Sequence, residues 1–367
     1  MTAPTTPRRS AGTHRLDIHG LHVELEVLPW AHSFAAALAV GCGSRDDRPG
    51  REGTAHQAEH LHVVTRPTAP TGGIPLHAVT DIDRTLFQAE GDPDESGIYV
   101  DRLLDIVTGR HTPVTTDVFE GERHAVLLET RRMDHRPMLR LGPLLAAAAA
   151  DEPGLDAIAR TTTDSVRRVT PEHVTALVHQ GYHPANSRLF LAGPPSAMPG
   201  VEAALARRNI PRPPAEPSPR DDSPPHPHIL LKGLDDVTAV TLVRPRHTLA
   251  PDLASLVVLP RPPLGSTTIE GRAQRVDIAV WRGVDIAAAL ERRLAHAATA
   301  PRPAPTSQDR PAPRHPAHPT PFSLVGAAAA GSAFPAEPNG TRHLALWTVT
   351  AGIFTCLARH PLDQAEY

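Results

Sequence analysis

Gly53-Thr54-Ala55-His56-Gln57-Ala58-Glu59-His60 reads H-x-x-E-H, and this stretch decides how the rest of the chain is read. On an α-helix, positions i and i+4 stack on one face, so His56 and His60 can reach one metal ion together. Glu59 lies on the adjoining edge, where a carboxylate can take a proton from an attacking water. The order is the inverse of the H-E-x-x-H metal helix. Histidine is common here, at 22 of 367 residues, so the pattern also fits two ordinary histidines on a solvated helix face. A third ligand decides between the two, because catalytic zinc takes three protein ligands and keeps one open position.

A candidate lies in Glu120-Gly121-Glu122-Arg123-His124-Ala125-Val126-Leu127-Leu128-Glu129. Glu122 and Glu129 are seven apart, which puts them on one helical face two turns from each other. Val126 and Leu127 fall between them as core-facing positions. The competing reading is a charged helix that is simply solvated.

Further blocks follow in a fixed order. Leu28-Pro29 and Ala36 to Gly43, then Ser44-Arg45-Asp46-Asp47, form an apolar segment ending in a G-S-R-x-D turn. Pro49-Gly50 and Gly53 lead into His56 to His60. Gly72-Gly73 precede His77-Ala78-Val79-Thr80, with Thr85 beyond, and Glu122-Arg123 through Glu129 come next. Tyr182-His183-Pro184-Ala185-Asn186 and Leu191-Ala192-Gly193 close the series. Over residues 15 to 200 this succession resembles the M16 metallopeptidases, the group containing pitrilysin, insulin-degrading enzyme and the mitochondrial processing peptidases.

The resemblance implies a role for each matched position. His56, His60 and Glu129 would hold Zn2+, Glu59 would be the general base, and Glu122 would support the site from behind the ligands. His77, Ala78 and Thr80 would lie along the substrate-binding strand, with His77 where the family usually carries asparagine. His77 can still donate a hydrogen bond there, or serve as a buried structural histidine. The implied fold is α+β: an M16-type domain with a mixed, largely antiparallel sheet flanked by helices, followed by a second, incomplete homologous domain. The implied activity is zinc-dependent endopeptidase cleavage of peptides or unfolded segments, a precursor peptide being one natural substrate. Many relatives work in pairs, so a homo- or hetero-oligomer with a second M16-like subunit is expected, with this chain as the catalytic member. Two alternatives stand beside this: a non-catalytic peptide-binding or partner subunit, and a family member drifting towards inactivity.

Composition is compatible with this picture. A chain of 367 residues is long enough for two domains with real cores. A net charge of −3 gives no electrostatic case for nucleic acid or an acidic membrane. Aromatics make up 4%, so the cores must be built from Leu, Val, Ile and Ala. Cys42 and Cys356 are too few for a disulfide framework, and a buried Cys42 thiol fits a reducing compartment. Met1 to Gly20 has no apolar run of the secretory kind, and Leu344 to Leu357 is too short to span a bilayer. A cytoplasmic protein is expected.

The sequence divides into a flexible start (1–14), a catalytic domain (15–209), a proline-rich linker (210–227) and a partial second domain (228–299). A Pro/His-rich segment (300–321) and a C-terminal segment (322–367) follow. Residues 16 to 27 alternate as one half-buried strand. Trp30 to Val40 and Leu76 to Gln88 are also strand-like, and Ser187 to Leu191 is a further strand. Helices are expected near 51–63, 98–108, 115–132 and 144–150, with another opening at Thr170-Pro171-Glu172. Two prolines argue against a continued helix between Leu61 and Thr71. Val284 to His296 has amphipathic spacing, and Leu344 to Leu357 is a strand or buried helix. The family's later glycine-tyrosine segment and its C-terminal arginine and tyrosine have no counterpart. His62, His111 and His124 are read as bystanders.

Overall fold

The structure, a computed structural model, describes residues 12–64, 75–109, 114–134, 136–150, 152, 154–207, 237–245, 265–270, 274–283, 287, 291–292, 320–322, 324–325, 328, 343–350 and 353–361. Its contacts divide the chain into two compact units. One comprises Met1–Val126, Val166–Arg220 and His315–Phe334, the other Leu127–Ser165, Asp221–Arg314 and Pro335–Tyr367. These units interleave along the chain, whereas the sequence boundaries above are contiguous.

In the first unit, strands β1 (Gly12–Ile18), β2 (Leu21–Val27), β3 (Phe34–Val40), β4 (His77–Thr80), β5 (Thr85–Gly91) and β6 (Ser187–Gly193) form one sheet. Its order is β1-β2-β6-β3-β5-β4. Only β2 and β6 run parallel; the other pairs are antiparallel. The helices that lie wholly in this unit are α1 (Thr54–Val64), α2 (Ser96–Thr108), α7 (Pro171–Gly181) and α8 (Met198–Arg207); α3 (Thr116–Asp134) and α6 (Thr163–Arg167) cross its boundary, and α4 (Pro137–Ala149) and α5 (Ala157–Arg160) belong to the second unit. The mixed, mainly antiparallel sheet flanked by helices is the α+β arrangement expected from the sequence.

The single strand read over residues 16–27 is instead a hairpin. His19 and Gly20 both take positive φ (53° and 90°), and Ile18 pairs with Leu21 across a two-residue loop. Positive φ at both central positions makes a type I′ turn, whose twist suits adjoining strands and which glycine enters without strain. Alternation continues through such a turn, so periodicity alone does not show the reversal. The stretch Leu76 to Gln88 is likewise a hairpin, β4 and β5, with Thr80 opposite Thr85.

Central strand β3 explains how the sheet is covered. Phe34, Ala36, Leu38 and Val40 face a core that includes Val100, Leu103 and Leu104 of α2, Ala55, Ala58 and Leu61 of α1, and Val201 of α8. The alternate residues Ala35, Ala37 and Ala39 face the other way and meet Val325, with Phe322, Leu324 and Ala328 packed nearby. Alanine at every outward position leaves room for that segment to close over the sheet. Cys42 lies just beyond β3 rather than within it, and is a buried cysteine outside any disulfide.

In the second unit, β7 (Val237–Pro245), β8 (Gly265–Glu270), β9 (Gln274–Arg282), β10 (His343–Thr350) and β11 (Ile353–Pro361) form an antiparallel sheet of order β11-β10-β7-β9-β8. Leu344 to Leu357 therefore contributes to two paired strands. Leu141 and Leu145 of α4 are buried, and Gly142 lets that helix approach closely, since a Cβ there would stand 2.9 Å from Thr267. Arg244 and Asp277 make a buried ion pair at 2.7 Å. The linker read at 210–227 and most of the helix read at 284–296 lie outside the described residues, as does His111.

Candidate metal centre

Helix α1 carries the H-x-x-E-H residues, and three parts of the first unit hold it in place. Asp47, fully buried, accepts hydrogen bonds from the backbone N–H groups of Gly53 (2.6 Å) and Ala55 (2.7 Å). It thereby satisfies donors that the first turn of a helix leaves without intrahelical partners. Burial raises its pKa to about 7, against the lowering effect of those two bonds. The turn before it is anchored to the β4–β5 connection, where Ser44 N–H donates to Asp81 O (2.9 Å) and Arg45 N–H to Ile82 O (3.0 Å). Arg45 also pairs with Asp83 at 3.1 Å. Gly43 is needed for this approach, because a Cβ there would lie 2.5 Å from backbone atoms of Asp81, Ile82 and Arg84.

One turn of α1 brings the donors together. The ligand atoms of His56, Glu59 and His60 lie within 4.8 Å of one another. The two imidazole centroids are 4.9 Å apart, set edge to face at 72°. Helix α3 runs alongside: Gln57 Nε2 donates to Phe119 O (3.4 Å), and His60 Nδ1 lies 3.0 Å from Glu122 Oε2. An ionised carboxylate can only accept, so Nδ1 of His60 is the donor in this contact, and a neutral ring held this way would present Nε2 to a metal. This donor set of two imidazoles and nearby carboxylates fits Zn2+.

Glu59 itself is buried at 7% exposure. Its Oε2 accepts a 2.7 Å hydrogen bond from Thr80 Oγ1, on β4. Sequence reading placed Thr80 on the substrate strand and gave no sign of this contact, since the residues are 21 apart in no common element. Strand β4 is the last in its sheet. On it, Ala78 is partly buried, and His77 is exposed rather than a buried structural histidine. The His77 ring meets Phe322 edge to face at 5.9 Å.

Glu129 is exposed and two turns beyond Glu122 on α3. Among the described residues, the close donor group consists of His56, Glu59 and His60, without Glu129. Of the histidines read as bystanders, His62 is buried, stacked on Tyr182 (4.9 Å, 20°) and edge-on to Phe87 (6.0 Å). His124 is exposed. Helix α1 ends at Val64, and residues 65–74 lie outside the described residues.

Residues 22–162 match the sequence model of Insulinase (Peptidase family M16). It is 31% identical over 196 residues to an uncharacterized zinc protease of Mycobacterium tuberculosis, covering 47% of this chain and 44% of that protein. The chain thus spans under half the length of that curated relative. A protease from Helicobacter pylori has the same fold, with a TM-score of 0.61 at 14% identity, covering 78% of this chain and 80% of that one. So does a chain of complex III2 from Candida albicans, with a TM-score of 0.58 at 14% identity, covering 79% and 78%. No described helix is long and apolar enough to cross a membrane.

Proposed function

We propose that the chain is a zinc-dependent endopeptidase acting on peptides or unfolded segments. The convergence of His56, Glu59 and His60 within 4.8 Å carries this reading. Its zinc ligands are His56, His60 and Glu129; the last is taken from the family resemblance. In such a site zinc acidifies water and polarises the carbonyl to be cleaved. Glu59 accepts the proton of the attacking water and later delivers it to the leaving amine. Glu122 holds His60 in the tautomer that binds metal. The end strand β4 offers His77, Ala78 and Thr80 for an extended peptide to lie along, since peptides add readily to an open sheet edge.

A second M16-like subunit as partner is supported by the likeness to a chain of an assembled complex. If that subunit did the chemistry, this chain would be the peptide-holding member. A cytoplasmic setting is supported by the buried thiol of Cys42. The test is zinc per chain by elemental analysis, with Glu129→Gln alongside, followed by a peptide-cleavage screen. One zinc per chain, markedly less in the variant, and cleavage abolished by Glu59→Gln are expected. A parent that takes up no zinc after reconstitution would sink the peptidase reading.

A further inference from the structure

We infer that Thr80 is a positioning residue for the general base, committing Glu59 Oε2 to a hydrogen bond and reserving Oε1 for the proton. The inference rests on the endopeptidase reading above and adds a role beyond peptide contact. Glu59 projects from α1, but the group that holds its carboxylate comes from the sheet, where Thr80 Oγ1 donates at 2.7 Å. A hydroxyl has one proton to give. Given to Oε2, it cannot also hold the water, so Thr80 orients the base and stays out of the proton path. A hydrogen bond to an ionised carboxylate is among the stronger kinds, and Glu59 is buried enough, at 7% exposure, for bulk water to be a poor substitute.

Water oxygen bonds to the carbonyl carbon while one of its protons passes to Oε1. The C–N bond then breaks, and the proton on Oε1 moves to the departing nitrogen. Through both transfers Oε2 remains the acceptor of the Thr80 hydroxyl. Because Thr80 belongs to end strand β4, the strand that would register the peptide also sets the angle of the base.

The test compares Thr80→Val, which keeps the shape and removes the O–H, with Thr80→Ser, which keeps the O–H. Zinc-loaded proteins of the whole 367-residue chain are assayed on a quenched fluorogenic peptide library, with zinc content measured for each. For Thr80→Val, kcat should fall about 10- to 100-fold with KM within about twofold of the parent and zinc unchanged. Thr80→Ser should recover most of kcat. A Thr80→Val enzyme with parental kcat, or with its loss confined to KM, overturns the proposal. Glu59→Gln separates the two levels: full activity there sinks the endopeptidase reading, whereas a dead Glu59→Gln beside a fully active Thr80→Val sinks only the role of Thr80. Crystal structures give a readout independent of turnover. The Glu59 carboxylate should be displaced in Thr80→Val and in place in Thr80→Ser, and an unmoved Glu59 in Thr80→Val overturns the proposal.

Discussion

Glu122 Oε2 lies 3.0 Å from His60 Nδ1, tying α3 to the helix that carries the H-x-x-E-H residues. The contact fixes the ring's tautomer and orientation, which a free imidazole would have to settle on binding.

Replacing Glu122 with Gln should therefore weaken zinc binding by about 10- to 100-fold without removing the site. Competition against a chelator of known affinity measures this. Saturating zinc should still give one ion per chain in Glu122→Gln, in contrast to Glu129→Gln. Equal loss of stoichiometry in both would make Glu122 a ligand rather than a support.

The raised pKa of Asp47 predicts how metal-free protein responds to pH. The folded state holds its proton up to about pH 7, while the unfolded chain releases it near the ordinary carboxyl value of 3.8. The folded state thus binds more protons between those values, and the group's stabilising contribution, complete below 3.8, is lost as pH rises towards about 7. The full effect is on the order of 4 kcal/mol. Thermal unfolding from pH 4 to 8 should show this slope in the parent and a flatter profile in Asp47→Asn. Identical slopes would show that Asp47 is ionised throughout.

A methyl group at position 43 cannot be accommodated without moving the backbone of Asp81, Ile82 and Arg84, each 2.5 Å from it. Gly43→Ala should cost about 1–3 kcal/mol or more in unfolding free energy, as overpacking does. Chemical denaturation measures it, and an unchanged midpoint would mean that the connection relaxes freely.

His62 is a packing residue, stacked on Tyr182 and edge-on to Phe87. His62→Ala should destabilise the fold by about 2–4 kcal/mol through the cavity it leaves, while zinc stoichiometry stays at the parental value. Loss of zinc from a protein that remains folded would give His62 a part in the metal site.

The sequence by itself determined the H-x-x-E-H helix and the Glu122/Glu129 helix, because each rests on local spacing. Residues three, four or seven apart on a helix share a face whatever surrounds it. The strand character of residues 16–27 was legible for the same reason, through period-two alternation, and residues 76–88 also read as strand. The turn at His19–Gly20 escaped, since alternation carries across it.

Tertiary structure alone decided which groups meet the site from elsewhere. The resemblance gave Glu122 a supporting place without naming the group it meets, and nothing local in Asp47 or Thr80 says that one caps α1 and the other grips Glu59. Those contacts depend on how β4, α1 and α3 pack, and packing is fixed by apolar surfaces distant in sequence, such as the all-alanine outer face of β3 and the segment around Val325. The interleaving of the two units has the same origin. Burial selects partners by shape and surface, not by order along the chain.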